Sequence, residues 1–575
     1  MDFKQKAAEI LFSELKTQGV SLNELSLFLE RPPKPEMGDW SLPCFRLAKT
    51  LKKNPNQIAG DLVTALNKKK LLEFEKIEAA GGYLNFFIAK KNLAESVLAE
   101  VLKQKKSFGK NDSQKNKKIL IEFSAPNTNK PLHIGHVRNN SLGMSLTAVL
   151  RANGSKVIPA NLLNDRGVHI CKTMLAYQKW GENKTPKALG QKSDHFLGDL
   201  YVQFANEAKT NPELEKEVQE MLLQWEKGDK KVRELWKKMN AWAIEGMKQT
   251  YEAYGIEFEK WYLESEIYDK ADALVELGLK KGVFEKRDDG SVFALLEEYG
   301  LPNKTVIRQD GTSIYVTQDL ALTKQKYRDF HFDEALWVVA SEQDLYFRQL
   351  FKIFELLQAP WSGKCRHVSY GLVQLPSGRM KSREGTVVDA DDLLSEVKAV
   401  AKKEIEKRYD KLSEAEVEKR ANSIALAAIK FFMLKVDAKK EFTFNPEESI
   451  SFEGETGPYI LYAYARSKSI LRKAGKLKAK PDFGLLSTET EKRLVSLVGR
   501  FPLVVQQVGK SLSPHSLCQF LLELSGAFNS FYHELAVLDE KNPALSASRL
   551  ALVESVGIAL CNGLELLDIA VLEEM

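Results

Sequence analysis

The spacing of apolar residues divides the chain into regions with different predicted structures. Between residues 117 and 374, short apolar runs alternate with stretches of helical spacing. Such alternation is typical of a doubly wound parallel sheet, in which each strand is followed by a helix that packs on one face. We predict an α/β Rossmann-type domain over 113–450. Its candidate strands are 119–123, 157–162, 335–339 and 367–373.

Two other regions show helical spacing and no strand pattern. Residues 187–259 are helical and strongly charged, which indicates a helical insertion in the sheet domain. We interpret its tryptophans, Trp225, Trp236 and Trp242, as insertion core rather than as a platform for stacking bases. The pattern becomes almost entirely helical again after residue 390, and we predict an all-α domain over 451–575.

The first 112 residues predict a small α+β domain. An amphipathic helix opens it over 3–16, and the pair Gly81-Gly82 predicts a turn that enters a strand ending near Ile88. A lysine-rich bridge over 103–118 follows this domain. We interpret the bridge as a solvated linker, with a contact to RNA phosphates as the less favoured alternative.

The composition is that of an ordinary globular enzyme. The 575 residues suggest three or four domains, with 44% hydrophobic and 28% charged residues. A net charge of +6 does not by itself indicate nucleic-acid binding. No run of about 18 apolar residues predicts a membrane span, and the start lacks the apolar core of a signal peptide. Five scattered cysteines without a C-x-x-C pair predict a cytoplasmic protein without structural zinc.

The most informative segment follows the first predicted strand of the sheet. Residues 124–129 are rich in turn formers, and a His-Ile-Gly-His motif at 133–136 then opens a predicted helix. The free N–H groups and the positive dipole end of a helix attract an anion. Two histidines three residues apart share one helix face, so both His133 and His136 can donate to phosphate oxygens. Because Gly135 leaves room for the anion, we predict a site for the triphosphate of ATP.

A second candidate phosphate site is the cationic loop at 376–385, Pro-Ser-Gly-Arg-Met-Lys-Ser-Arg-Glu-Gly. It places Arg379, Lys381 and Arg383 within five residues, after a predicted strand and between two glycines. A loop of this kind can close on phosphates and withdraw them from water. Lys130 adds a cation three residues before His133, although by spacing alone it is equally a solvated surface lysine.

These features together resemble a known enzyme family. Residues 123–138 closely resemble the signature of class I aminoacyl-tRNA synthetases, and specifically of arginyl-tRNA synthetases. The resemblance continues along nearly the whole chain. It implies that the protein uses ATP with Mg²⁺ to activate L-arginine and transfers it to the 3′ end of tRNA(Arg), releasing AMP and pyrophosphate. It also implies a monomer without an obligate protein partner, and binding of tRNA before activation of arginine.

The resemblance assigns roles to the phosphate-binding residues. In the loop, Arg379 stands at the first lysine position of the family signature and Ser382 at the second, where this family commonly lacks lysine. We expect Lys130 to compensate. The catalytic residues are predicted to be His133, His136, Lys130, Lys381 and Arg383. The ATP contacts are predicted to be Pro126, Gly135, His133, His136, Arg379, Met380 and Ser382.

An arginine pocket needs carboxylates that can pair a planar guanidinium. The motifs of the family place Asp319 and Glu264 in that role, with Glu266 left open as an alternative to Glu264. Tyr315, four residues before Asp319, is expected to pack along the apolar stem of arginine if the segment is helical. The α-amino and carboxylate groups are assigned to Glu122, Asn127 and Gln343.

Two further segments match the family. The motif at 164–169 follows a predicted strand, so Asp165 and His169 are expected near the nucleotide, with a simple turn and helix cap as the alternative. The N-terminal domain is expected to touch the tRNA elbow, and the helical C-terminal domain to bind the anticodon. There the residues expected to contact tRNA are Tyr459, Tyr462 and Arg466, although tyrosines on an apolar helix commonly form core.

Three other functions remain to be tested. A class I synthetase for a different amino acid would not need acidic residues at both 264 and 319. A tRNA-binding paralogue without catalysis would not need His133, His136 and the cationic loop together. A general nucleotidyltransferase would not explain the two additional domains.

Overall fold

The computed structural model of the chain describes residues 3–30, 32, 37–69, 71, 73–268, 272–309, 315–374, 388–409, 411–451, 453–475 and 479–575. The whole of the predicted cationic loop at 376–385 lies outside these ranges, including Arg379, Met380, Lys381, Ser382 and Arg383. The chain forms two compact units. The first contains Met1–Phe108, Arg466–Phe501 and Leu524–Ala559, and the second contains Gly109–Ala465, Pro502–Glu523 and Leu560–Met575.

The first unit begins with a small α+β fold. Its elements are α1 (Phe3–Leu15), α2 (Leu22–Phe28), β1 (Trp40–Pro43), α3 (Ala48–Leu51), α4 (Pro55–Asn67), β2 (Phe74–Ala80), β3 (Tyr83–Ile88) and α5 (Lys90–Gln104). The three strands form an antiparallel sheet in the order β1-β3-β2. Leu11, Leu62 and Phe86 are buried in its core. The predicted opening helix and the turn into β3 are both present.

The second unit contains the predicted sheet domain. Its first part consists of β4 (Lys118–Glu122), α6 (Ile134–Ala152), β5 (Lys156–Leu163), α7 (Val168–Ala176), α8 (Pro186–Leu189), α9 (Ser193–Glu207), α10 (Glu213–Glu226), α11 (Lys230–Tyr254) and β6 (Lys260–Leu263). It continues with α12 (Asp272–Lys280), β7 (Phe284–Lys286), β8 (Val292–Ala294), β9 (Lys304–Ile307), α13 (Tyr315–Phe330), β10 (Glu334–Ala340), α14 (Asp344–Leu356) and β11 (Cys365–Tyr370). It then runs through β12 (Val373–Gln374), α15 (Ala390–Glu406), α16 (Glu414–Lys435), β13 (Phe442–Thr443) and α17 (Pro446–Ser449).

The central sheet is five-stranded and parallel, as the alternating pattern predicts. Its order is β11-β10-β4-β5-β6, and every neighbouring pair is parallel. If the five strands are numbered by their order along the chain and read from β6 to β11, the arrangement is 3-2-1-4-5, as in a Rossmann-type fold. The strand order reverses between β4 and β10, so ligands are expected beyond the carboxyl ends of these two strands.

The structure adds two features that the sequence pattern did not predict. The fifth strand, β6, has only four residues and comes a few residues after the long helix α11. Its apolar pattern is therefore too short to distinguish it from the end of the helical region. A separate antiparallel sheet of order β7-β8-β9 has strands of three or four residues, too short to show alternation. The helical insertion itself is confirmed. Trp225 is only 1% exposed in its core, and Trp236 and Trp242 pack against that core.

Four long helices complete the chain: α18 (Gly457–Ala474), α19 (Glu489–Ser511), α20 (Pro514–Glu534) and α21 (Pro543–Leu566). They confirm the predicted helical character of the C-terminal region. The helix α21 is long and apolar enough to cross a membrane by length and composition, and 61% of its apolar window is buried in the protein. Core helices of soluble proteins meet the same criterion, so α21 is weak evidence for a membrane span.

Candidate active site

A strained turn connects β4 to the histidine motif. Ser124 and Ala125 have φ values of 74° and 46°, in the left-handed region that residues with a side chain rarely adopt. The turn is held by side chains from neighbouring elements. Ser124 N donates to Asn139 Oδ1 at 2.6 Å, and Ala125 N donates to Asn161 Oδ1 at 3.1 Å. The Ser124 hydroxyl also contacts the Tyr251 hydroxyl at 2.6 Å, so the insertion helix α11 braces this turn.

The two histidines form reciprocal caps at the start of α6. The backbone N–H of Gly135 donates to His133 Nδ1 at 3.1 Å, and the N–H of His133 donates to His136 Nδ1 at 3.1 Å. Because each Nδ1 accepts a hydrogen bond, the proton of each neutral ring is on Nε2. The ring centroids lie 4.0 Å apart, so two Nε2–H donors are presented side by side.

Both histidines are neutral at physiological pH. Burial, together with the nearby Lys130 ammonium, lowers the pKa of His133 to about 3. Burial also holds the pKa of His136 well below its ordinary value, and His133 and Lys130 add to the effect. The pair therefore offers hydrogen-bond donors without a positive charge, and Lys130 is a cation close to both rings.

The position of α6 depends on two glycines that have no room for a side chain. A Cβ on Gly135 would lie 2.9 Å from Cε1 of His133, so a side chain there would displace the capping ring. A Cβ on Gly143 would lie 2.2 Å from Cγ of Phe123, the residue that follows β4. Gly143 thus lets the helix approach the strand closely, which fixes the histidines relative to the sheet.

The described residues that precede and follow the cationic loop lie close to α6. After the loop, Val388 O accepts from Ile134 N at 3.1 Å, and Ala390 N donates to Leu132 O at 2.9 Å. Before the loop, β12 pairs with β13 in parallel. The fully buried Arg138 of α6 donates from Nη2 to Ala438 O at 2.8 Å and Lys440 O at 2.9 Å, just before β13. The backbone on both sides of 375–387 is therefore anchored next to the histidine motif.

A cavity of about 740 Å³ lies beyond the ends of the central strands. It brings together residues that are far apart in the sequence. Five of the six residues predicted to bind arginine line it: Glu122, Glu264, Tyr315, Asp319 and Gln343. The sixth, Asn127, is described but is exposed and lies outside this lining. Its neighbour across the turn, Asn164, lines the cavity instead.

The cavity contains two carboxylates with perturbed protonation. Burial raises the pKa of Glu264 to about 7, and Asp165 and Asp319 contribute to the rise. Burial also raises the pKa of Asp319 to about 6, although its hydrogen bond from the Tyr346 hydroxyl acts in the opposite direction. Glu264 is 8% exposed, whereas Glu266 is exposed and does not line the cavity. The geometry thus favours Glu264 over Glu266 for a role in this cavity.

The third carboxylate of the cavity already has a cation. Glu122 forms an ion pair with Lys326 of α13, which is fully buried. The Lys326 ammonium also lies 5.1 Å from the centre of the Trp337 ring. A bound cation therefore finds Glu264 and Asp319 more available than Glu122. Sequence reasoning missed Lys326 and Tyr346, because isolated residues inside amphipathic helices carry no motif.

The residues of the motif at 164–169 have different surroundings. Asp165 is 2% exposed, and its carboxylate accepts from Ser265 N at 2.8 Å and from Ser265 Oγ at 2.7 Å. His169 is the second residue of α7, and its Nδ1 lies 3.1 Å from the Tyr201 hydroxyl. Asp165 therefore supports the residue next to Glu264, while His169 faces the helical insertion.

A second cavity of about 660 Å³ lies next to His133, with Lys130 and residues of α9 in its wall. Near it, Asp194, His195 and Asp391 place their ligand atoms close enough to hold a metal ion. The ammonium of Lys192 takes the place of a metal ion there, since it lies 2.5 Å from Asp391 and 3.2 Å from Asp194. His195 lies 3.0 Å from Asp391, and the carboxylates of Asp389 and Asp391 raise its pKa to about 10. The cluster is an ion-pair network rather than a vacant metal site.

The residues predicted to contact tRNA lie on α18. Tyr462 is 39% exposed, and the N–H of Tyr459 donates to Thr456 Oγ1 at 3.2 Å. Arg466 donates to Asn529 Oδ1 at 2.6 Å, and its guanidinium lies 4.7 Å from the centre of the Tyr532 ring. All three residues thus lie on one helix, and Arg466 is tied to α20 through Asn529 and Tyr532.

The fold and the site together define a class of enzyme. The paired histidines open a helix after the first strand of a parallel sheet, and a carboxylate-lined cavity lies at its switch point. This combination is that of a class I aminoacyl-tRNA synthetase. Residues 97–446 match the family described as tRNA synthetases class I (R), catalytic domain. Residues 4–88 match the arginyl tRNA synthetase N terminal domain, and 460–575 match the DALR anticodon binding domain.

Individual relatives agree along the full chain. The arginine–tRNA ligase of Treponema denticola is 45% identical over 557 residues, covering 95% of this chain and 94% of the relative. That of Borrelia turicatae is 38% identical over 584 residues, covering 100% and 99%. The solved structure of Thermus thermophilus arginyl-tRNA synthetase matches with a TM-score of 0.81 and 26% identity over the whole of both chains. The chain belongs to the arginyl-tRNA synthetase family.

Proposed function

We propose that this protein activates L-arginine with ATP and attaches it to the 3′ end of tRNA(Arg). The observation that carries the substrate choice is the pair Glu264 and Asp319, two cavity carboxylates whose pKa values burial raises. A buried carboxylate is stabilised by a cation that pairs with it. A planar guanidinium can pair with two carboxylates at once, which the point charge of lysine cannot do in the same geometry.

In the first step, a carboxylate oxygen of arginine attacks the α-phosphorus of ATP. The bond from the α-phosphorus to the bridging oxygen breaks, so arginyl-adenylate forms and pyrophosphate leaves. We assign Tyr315 to the stem of arginine, and Glu122, Asn127 and Gln343 to its α-amino and carboxylate groups. His133 and His136 would donate from Nε2 to the phosphate oxygens, and Lys130 would offset their charge. Such fixed donors lower the barrier because charge builds up on the phosphates as the bond breaks.

In the second step, a hydroxyl of the terminal tRNA ribose attacks the activated carbonyl carbon. The hydroxyl loses its proton, the bond from the carbonyl carbon to the phosphate oxygen breaks, and AMP leaves. We assign tRNA contacts to Tyr459, Tyr462 and Arg466 at the C-terminal helices. ATP is taken as its Mg²⁺ complex, in which the ion neutralises part of the phosphate charge. We propose that the enzyme acts as a monomer in the cytoplasm.

The loop residues Arg379, Met380, Lys381, Ser382 and Arg383 lie outside the described ranges, and their assignment to pyrophosphate rests on the sequence. Support for it comes from the anchored backbone on both sides of the loop, at β12 and at Val388, beside the histidine motif. Such placement would let cations of the loop reach a phosphate held by His133 and His136.

The test is transfer of radiolabelled arginine to tRNA by the purified protein with ATP and Mg²⁺. Lysine and glutamine serve as competing substrates. Charging of arginine alone, lost in Asp319→Asn, is the expected result. Tight tRNA binding without charging would instead identify a non-catalytic relative of the family. Charging of another amino acid would overturn the pocket assignment.

A further inference from the structure

Asp165 is a buried carboxylate with two partners on one residue. Its Oδ1 accepts from Ser265 N at 2.8 Å and its Oδ2 accepts from Ser265 Oγ at 2.7 Å. Ser265 follows Glu264 directly in the short 3-10 turn after β6. Both bonds together fix the position and the rotation of this turn. The direction of the Glu264 side chain into the cavity therefore depends on Asp165, although Asp165 itself does not line the cavity.

The backbone of Asp165 is held from the other side by the insertion. Its carbonyl oxygen accepts from Trp236 Nε1 at 2.6 Å and from Asn240 Nδ2 at 3.0 Å, both on α11. The Asn240 side chain also accepts a hydrogen bond from the Thr128 hydroxyl, in the turn that precedes the histidine motif. Asn240 is only 6% exposed. Its buried side-chain amide donates one hydrogen bond to Asp165 and accepts one from Thr128.

The chemistry of Asp165 fits a positioning role. A buried carboxylate costs free energy unless its partners compensate, and burial raises its pKa. Bonds from an N–H and an O–H to a charged carboxylate are shorter and stronger than neutral ones, so they fix geometry well. An error of about 1 Å in the placement of a binding group can reduce catalysis by a factor of about 10².

We propose that Asp165 is a positioning residue for arginine recognition, which holds Ser265 and so directs Glu264 into the cavity. Asn240 is hydrogen-bonded both to Asp165 and to Thr128 of the turn at 124–129. It therefore holds the arginine site and the ATP site at a fixed distance from each other. This inference rests on the proposed function, in which Glu264 pairs the guanidinium.

Asp165→Ala and Asp165→Asn separate geometry from charge. The alanine variant loses both bonds, and we expect the KM for arginine to rise at least tenfold while the KM for ATP changes less than threefold. In the asparagine variant an amide oxygen can still accept from Ser265 N, and the hydroxyl can turn to accept from the amide. We expect its KM for arginine to stay within threefold of that of the wild type.

Asp333→Asn is the matched control, since Asp333 accepts from Lys118 N at 2.9 Å at the opposite end of β4. It should leave both KM values unchanged. Asn240→Ala should raise both KM values, because it removes the support of Asp165 and of Thr128 together. The readout is steady-state charging of tRNA, with thermal unfolding measured for each variant.

The outcomes distinguish the two levels of the proposal. An unchanged arginine KM in Asp165→Ala, with only a lower unfolding temperature, would overturn the positioning role and leave the proposed function intact. Failure of the wild-type protein to charge arginine would overturn the proposed function and the role of Asp165 with it. A rise in arginine KM in Asp165→Ala and Asn240→Ala, without a rise in Asp165→Asn or Asp333→Asn, supports the proposed function and the positioning role of Asp165.

Discussion

The backbone N–H of His133 donates to Nδ1 of His136 at 3.1 Å, so the cap of a helix also fixes the tautomer of the His136 ring. Since Gly135 N–H does the same for His133, both neutral rings carry their proton on Nε2. The motif thus uses its own backbone to prepare two neutral donors before any ligand arrives, which spares reorganisation during the reaction.

We expect both histidines to remain neutral from pH 5.5 to 8. The pKa of His133 is lowered to about 3 and that of His136 lies well below its ordinary value, so neither takes up a proton in this range. Long-range ¹H–¹⁵N correlation spectra should show the Nε2–H tautomer for both rings. An imidazolium pattern appearing near pH 6.5 for either ring would contradict this prediction.

His136→Asn should separate catalysis from stability. The asparagine oxygen can still accept from the His133 N–H, but the donor that reaches the phosphate is lost. Loss of one preorganised donor reduces kcat by about 10²–10³, with the unfolding temperature nearly unchanged. His136→Ala should show the same loss of kcat and also a lower stability, by about 1 kcal/mol for the missing cap. Equal kcat in the wild type and His136→Asn would exclude His136 from the chemistry.

The KM for arginine should fall as the pH rises from 5.5 to 8. At low pH, Asp319 and Glu264 are protonated, since their pKa values are raised to about 6 and about 7, and a neutral carboxyl cannot pair a guanidinium. Deprotonation with rising pH restores both partners, so arginine binding releases protons. Steady-state charging across this range, at saturating ATP and tRNA, measures the effect. Glu264→Gln should raise the KM for arginine and flatten its slope near pH 7. An unchanged slope would exclude Glu264 as the titrating group.

Glu264→Gln should also stabilise the free enzyme at pH 8. The folded protein raises the pKa of Glu264 from 4.5 to about 7, so the charged form costs stability, and that cost appears as the pH rises through this window. Removing the charge should gain about 2–3 kcal/mol at pH 8 and almost nothing at pH 4.5. Thermal unfolding at several pH values measures the gain. An equal shift at both pH values would indicate a packing effect instead.

Gly143→Ala should destabilise the enzyme and reduce its rate. The added Cβ would lie 2.2 Å from Phe123 Cγ, which forces α6 away from β4 and moves the histidines with it. We expect a loss of about 1–3 kcal/mol, partly restored by the smaller side chain in Gly143→Ala with Phe123→Leu. Gly60→Ala is the control, because that helical glycine has nothing within 4 Å of its Cβ position. It should gain about 0.5–1 kcal/mol. Equal effects of the two alanines would contradict the packing argument.

Much of the fold was readable from local patterns, and the exceptions have physical reasons. The strands β4, β5, β10 and β11 were predicted within a few residues. For β4, β5 and β10 the reason is that strands inside a parallel sheet are buried on both faces and read as apolar runs. The strand β6 and the sheet β7-β8-β9 were missed because three or four residues do not establish a period. The tryptophans of the insertion were predicted correctly as core.

The position of the histidine motif in the fold followed from its sequence. The His-Ile-Gly-His sequence implied a helix start and two donors, and α6 begins at Ile134 with both rings as caps. Its tautomers were not predicted, since they follow from hydrogen-bond directions. The choice of Glu264 over Glu266 needed the 3-10 turn after β6, in which residues two apart point in different directions, so that Glu264 lines the cavity and Glu266 is exposed.

The sequence by itself determined the alternation of strands and helices and the helix start at the histidine motif, because helix caps, turns and apolar periods act over a few residues. The class of the protein followed from the resemblance of its motifs to a known family. Only the tertiary structure decided which carboxylates share a cavity. Glu122 ends β4, Glu264 follows β6 and Asp319 lies in α13, and they meet because the sheet brings the ends of β4 and β6 to one edge and α13 packs beside it, where its Lys326 pairs with Glu122. The burial that raises the pKa values of Glu264 and Asp319 arises from those same long-range contacts, which no local pattern records.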